Sequence, residues 1–200
     1  MGFRSTDLAA AAERIAAAAE AAAEELNAQD GKLGDGDLGI TVAKGWRAVA
    51  ETELPEDLGK AFLVMSKTFQ RVSSSSFGTL TATGLMAAAK ATKGRETADW
   101  ADISALLAAS RDAMMARGQG ALGQKSVLDA IDALAAALAD QKDPAAMRDA
   151  ADRTLAQTLD AFRDRPAGLG RARMFGEKSR GLDDPGMLAV RRLLDGLIGA

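Results

Sequence analysis

The stretch Leu26-Asn-Ala-Gln-Asp-Gly-Lys-Leu-Gly-Asp-Gly-Asp-Leu-Gly39 sets Asp30, Asp35 and Asp37 among four glycines. Apolar residues recur at helical spacing on either side, so it reads as the break between a first and a second helix. Three carboxylates on one short loop repel one another unless a positive charge sits between them. Hard dications such as Mg²⁺ take oxygen ligands and are often held by a few carboxylates together with substrate phosphates. Glycines let the backbone turn sharply and come close to a ligand. The pattern favours a metal–phosphate site. The alternative is a set of solvated loop carboxylates, with Asp37 capping the second helix. A calcium EF-hand loop begun at Asp30 or Asp35 would lack its ligand pattern and terminal Glu.

Outward from this stretch the chain is punctuated in the same way. Ser5, Thr6 or Asp7 is placed to cap a helix running to about Leu26. A second is expected from Asp37 or Leu38 to about Glu53. Pro55 fits the first turn of a third, which carries Leu58, Ala61, Phe62, Met65 and Phe69 at helical spacing. Five more follow at about Gly78–Thr92, Trp100–Arg117, Ser126–Ala139, Pro144–Arg165 and Asp184 to the end. β-branched runs bounded by turns are nearly absent. Eight helices joined by short loops imply an all-α, up-and-down assembly, expected as one domain over residues 1–200.

The interruptions differ in character. Residues 30–39, 71–79, 118–126 and 167–186 are rich in Gly, Ser and charge, whereas the other connections are short and plain. These four follow the first, third, fifth and seventh helices. Alternate loops of an antiparallel array fall at the same end, so the four are expected to share one rim and build a single site.

Composition limits the chemistry of that site. The net charge of −3 gives no electrostatic footprint for nucleic acid. With no cysteine, disulfides, thiol catalysis and Cys-based zinc sites are excluded. With no histidine, so are Ser-His-Asp triads, imidazole bases and His-ligated metals. What remains is carboxylates, amines, hydroxyls, backbone groups and metal. The alanine-rich start is broken by Glu13, Arg14, Glu20, Glu24 and Glu25 and matches neither a membrane span nor a signal peptide. A cytoplasmic protein with no membrane partner is expected.

Gly118-Gln-Gly-Ala-Leu-Gly123 matches the dinucleotide GxGxxG pattern and, with Lys125-Ser126, misses a phosphate-loop motif by one inserted residue. Both readings require a preceding strand, and the preceding segment is helical. A glycine-rich loop before a helix can still receive phosphate or ribose oxygens on its free N–H groups; a helix C-cap followed by a linker is the alternative. Ser73–Ser76 reads as a flexible linker or, on the inferred rim, as a phosphate-binding hydroxyl loop. Arg171, Arg173, Lys178 and Arg180 form a cationic run that is either solvated or, beside aspartates and metal, a phosphate clamp.

Taken together, Gly34-Asp-Gly-Asp-Leu-Gly39, Phe77-Gly-Thr79, Gly123-Gln-Lys-Ser126 and Arg171-Ala-Arg-Met-Phe-Gly-Glu-Lys-Ser-Arg-Gly-Leu-Asp-Asp-Pro-Gly186 resemble the L subunit of dihydroxyacetone kinase, in order and over nearly the whole chain. The same module is the nucleotide-binding domain of the single-chain, ATP-dependent enzymes. The resemblance implies a barrel of eight antiparallel helices with ADP or ATP at one rim. It places two Mg²⁺ ions on Asp30, Asp35 and Asp37. Nucleotide contacts would fall on Leu38, Gly39, Ile40 and Thr41, on Ser73 and Ser74, on Gly118, near Val127, on Arg171, and on Asp184, Pro185 and Gly186. The family's ketose is held through a histidine on a separate K-type subunit or domain, which makes such a subunit the implied partner. A phosphotransferase-system phosphocarrier is a second implied partner, and a homodimer stays open. This chain departs from the family at Leu38, Thr41 and Leu182, where His, Asn and His are usual, and in Val72-Ser-Ser-Ser-Ser76, which replaces a glycine-rich turn. The implied function is a phosphotransfer subunit of a ketose kinase. The alternatives are a non-catalytic nucleotide-binding module of the same fold and an unrelated helical scaffold.

Overall fold

The computed structural model describes residues 2–199. Nine α-helices occur among them: α1 (Ser5–Ala21), α2 (Ala23–Leu33), α3 (Leu38–Ala50), α4 (Leu58–Val72), α5 (Ser76–Ala91), α6 (Asp102–Gly118), α7 (Val127–Ala137), α8 (Pro144–Arg163) and α9 (Pro185–Ile198). Only Ala22 separates α1 from α2, so the two form one broken rod and the nine helices make eight rods. Each rod packs on the next along the chain, and α9 returns against α1 to close the ring. The fold is an all-α barrel of eight up-and-down rods. No described helix is long and apolar enough to cross a membrane.

Side-chain caps decide where most rods begin. Asp57 caps α4 at Lys60 N (2.7 Å), Ser75 caps α5 at Gly78 N (3.0 Å), Asp143 caps α8 at Ala146 N (2.8 Å) and Asp184 caps α9 at Met187 N (2.9 Å). Ser126 and Asp129 form a reciprocal capping box on α7. Such caps are each worth about 1 kcal/mol. The cap on α4 corrects one boundary: Pro55 lies outside the helix, because Asp57 supplies the acceptor and Leu58 opens the rod.

The main core joins Leu26, Leu38, Val42, Trp46, Phe69 and Leu188 with the small residues of α1 and α9. A second cluster packs Leu134 of α7, Leu155 and Leu159 of α8, and Met187 of α9. A second element type, the β-strand, left no sign in the sequence. β1 (Gly2–Phe3) pairs antiparallel with β2 (Ala98–Asp99), tying the N-terminal segment to the α5–α6 connection. Two-residue strands leave no periodic signal to read.

The first helix also departs from expectation. It breaks at Ala22 and the rod continues as α2 past Leu26 to Leu33, so Asp30 stands on the last turns of α2 and the loop proper is Gly34–Asp37. The 167–186 segment is likewise not all loop, since Ala172–Ser179 forms a 3-10 helix kinked at Gly176.

Candidate functional site

The loops after α2, α4, α6 and α8 border one cleft. At the same rim α3, α5, α7 and α9 begin, and their first residues Leu38, Ser76, Val127 and Pro185 all line it. Helix N-termini carry partial positive charge and favour anions, although α9 offers no free amide, since Pro185 has no N–H and the Gly186 and Met187 amides bond to Asp184. Beside the start of α3 the cleft is acidic. Oxygens of Asp30, Asp35 and Asp37 lie within 4.8 Å of one another.

This acidic corner is built by α2 and the turn after it. Asp30 Oδ2 accepts from the backbone N–H groups of Gly36 (2.8 Å) and Asp37 (3.1 Å), which folds the turn back onto the helix. Gly36 takes φ +77°, a left-handed turn conformation suited to glycine. Asp37 occupies the N-cap position of α3 but makes no capping bond. That expectation is corrected by Asn27, whose Oδ1 accepts from Gly39 N (2.8 Å) and Ile40 N (3.2 Å). A cap reaching across from the previous helix leaves the Asp37 carboxylate free. Gly39 lets the two helices meet, since a Cβ there would come within 2.0 Å of the Ala23 carbonyl oxygen.

Charge is distributed unevenly over the three carboxylates. Arg171 pairs with Asp35 and holds its carboxyl below the ordinary range. Burial, with the negative charges of Asp35 and Asp30, pushes Asp37 up. One guanidinium facing three carboxylates leaves negative charge for a cation to neutralise. An oxygen-only, carboxylate-rich corner beside an anion-attracting rim fits Mg²⁺ with phosphate.

Nine of the fifteen residues singled out from sequence line the cleft: Asp30, Asp35, Asp37, Leu38, Val127, Arg171, Asp184, Pro185 and Gly186. Six do not. Gly39 is buried against α2, and Ile40 and Thr41 follow it along α3. Gly118 ends α6, whose C-cap Gln119 takes a left-handed conformation. Ser73 is buried with its hydroxyl 3.3 Å from that of Ser75, and Ser74 is exposed. The serines on the cleft are Ser75 and Ser76, because α5 starts two residues earlier than its sequence suggests. Phe77, Leu80 and Leu169 add an apolar wall, and Ser126, the N-cap of α7, lines the cleft beside Val127; Phe77 and Ser126 stood in the quoted motifs without a site role, and Leu80 and Leu169 carried no signal.

The 32–199 stretch matches the family model of the DAK2 domain. The chain belongs to the DAK2 domain family. Asp30 precedes the matched stretch, and its place in the cluster rests on the geometry. Among relatives, the ADP-binding subunit DhaL of the PEP-dependent dihydroxyacetone kinase 1 of Listeria innocua is 28% identical, covering 86% of this chain and 85% of that one. The human triokinase/FMN cyclase is 29% identical over 98% of this DAK2 chain but only 35% of its own length. The L-erythrulose 1-kinase of Mycolicibacterium smegmatis is 29% identical over 86% of this chain and 32% of that protein. In fold, the chain matches the dihydroxyacetone kinase of C. freundii, solved in complex with AMP-PNP and Mg²⁺, with a TM-score of 0.77 at 22% identity. That match covers all of this chain and 34% of that one. The chain thus spans about a third of these longer relatives and most of the DhaL subunit.

Proposed function

We propose that this chain is the nucleotide-holding subunit of a dihydroxyacetone-type kinase. It binds ADP or ATP with Mg²⁺ at the aspartate rim and passes the γ-phosphoryl group to dihydroxyacetone or a related ketose held on a separate K-type subunit. The observation that carries this reading is the meeting of the Asp30, Asp35 and Asp37 oxygens, within 4.8 Å, with four helix N-termini around one cleft. Neither half alone distinguishes a metal site from an anion site; together they suit a metal–phosphate group. Its kinship with DhaL subunits and an L-erythrulose kinase supports the substrate class.

Asp30, Asp35 and Asp37 would hold the metal, which when bound spreads and neutralises phosphate charge. Arg171, already drawn to Asp35, adds positive charge where phosphate oxygens enter. The starts of α3, α5 and α7 would orient the phosphates, and the apolar wall of Leu38, Phe77, Leu80 and Leu169 would exclude water from the cleft. Phosphoryl transfer of this kind rests on positioning and charge neutralisation and needs no protein nucleophile, which suits a chain without His or Cys. The donor is either ATP or a phosphocarrier protein that recharges bound ADP. The DhaL relatives of Listeria innocua and Lactococcus lactis are named PEP-dependent and PTS-dependent, which supports the second donor. A second reading, a nucleotide-binding module without catalysis, is favoured by the apolar Leu38 and Leu182.

Calorimetry and a reconstituted assay separate these readings. The wild type should bind ADP only with Mg²⁺, and Asp37→Asn should lose that binding while its helical circular dichroism is unchanged. Mixed with a K-type subunit from the same genome, it should support phosphorylation of dihydroxyacetone or L-erythrulose; alone it should not. Full ADP affinity in Asp37→Asn would remove the metal assignment. Binding without transfer would leave the non-catalytic module.

A further inference from the structure

Lys125 lies outside the cleft lining, and its side chain is fully buried. Its backbone takes φ +57°, a left-handed conformation that non-glycine residues other than Asn and Asp seldom adopt. All three ammonium hydrogens are used. Nζ donates to the carbonyls of Arg163 (2.8 Å), Arg165 (2.9 Å) and Ser179 (2.8 Å). Arg163 ends α8, and Ser179 ends the 3-10 helix. The ammonium therefore grips the outgoing and returning strands of the 164–180 excursion at its neck.

Other bonds close the same neck. Gly181 N donates to Arg163 O (3.0 Å), Gly168 N to Gln124 O (2.8 Å) and Ala167 N to Ser179 Oγ (2.7 Å). Beyond it, Leu169 to Ala172 project along the cleft, and Arg171 reaches Asp35. Next to Lys125 on the other side, Ser126 opens α7 and lines the cleft. A buried cation met by carbonyl oxygens is strongly directional, because each lost contact leaves an unpaired polar group away from water.

We propose that Lys125 is a positioning residue of the nucleotide site: by pinning the neck of the 164–180 loop it sets the reach of Arg171 toward Asp35 and the phosphates, without touching the ligand. The proposal rests on the nucleotide reading above. Lys125→Met keeps the side chain's length and removes its donors.

Two measurements test it. In the ligand-free protein, hydrogen exchange at the Ala167, Gly168 and Gly181 amides should quicken in Lys125→Met. For Mg-ADP, affinity should fall by about 10- to 100-fold, the range for losing a supporting partner behind ligand-contacting groups. Adding Arg171→Gln to Lys125→Met should then cost little more, because the arginine is already misplaced. Unchanged exchange at the three amides, or losses that multiply as independent sites do, would overturn the positioning role while leaving the nucleotide site standing. A wild type that fails to bind Mg-ADP would overturn both. Should Lys125→Met not fold, Ser179→Ala cuts the neighbouring tie without removing a buried charge. It should show the same non-multiplying loss with Arg171→Gln, and multiplying losses there would overturn the proposal.

Discussion

Asp184 is a buried carboxyl at the start of α9, and burial pushes its pKa up to about 7 despite the amides of Met187 and Gly186 that hydrogen-bond to it. The unfolded chain returns it to an ordinary value of 3.8. A carboxyl raised in the folded state favours folding fully below about pH 4, and that contribution is lost as pH rises through about 7. Asp184→Asn keeps a capping acceptor but has no charge to desolvate. Its melting temperature should therefore gain on the wild type between pH 4 and 7, by at least about 2–4 °C, the change for about 1 kcal/mol in a chain this size. Parallel melting curves across that range would show that Asp184 ionises freely in the fold. Asp35 behaves in the opposite sense, since Arg171 holds it down. The spacing of Asp30, Asp35 and Asp37 was legible as a cluster of converging carboxylates. The role of Asn27 was not, because a cap supplied from the preceding helix leaves no local motif.

The α1–α2 rod shows where local propensity loses to tertiary contacts. Asn27, Asp30 and Gly31 are poor helix formers, so the sequence reads as a loop from Leu26 onward. In the fold, those residues stay helical while the side chains of Asn27 and Asp30 satisfy four backbone N–H groups of the next turn and helix. Gln29 adds a bond to the Asp183 carbonyl at 2.6 Å, linking α2 to the 164–184 connection. Cutting the cap on α3 should be measurable. Asn27→Ala should cost about 1 kcal/mol, seen as a fall of about 2–4 °C in melting temperature. It should also weaken Mg-ADP binding, since Asp37 and Leu38 move with the start of α3. A mutant melting with the wild type would mean that water replaces Asn27 at no cost.

For the whole barrel, the parity of the loops was the readable feature. Breakers of like chemistry after alternate rods predicted one shared rim, and the cleft draws residues from all four loops. What parity cannot give is which residue of each loop faces inward. That depends on where each helix starts, and each residue of shift turns a side chain by about 100° around the axis. So Ser75 and Ser76 stand on the cleft where Ser73 and Ser74 were expected, and Gly118 belongs to α6. The ring also brings together segments more than a hundred residues apart: Asp35 and Arg171 meet where the connection before α9 packs on α2, as α9 closes against α1. The most direct test is hydrogen exchange of the intact chain with and without Mg-ADP. Slowed amides are expected in 34–41, 73–79, 119–127 and 167–186 together, with the opposite connections at 51–57, 92–101 and 138–143 unchanged. Protection confined to one loop, or appearing at the opposite connections, would contradict a single nucleotide site at the shared rim.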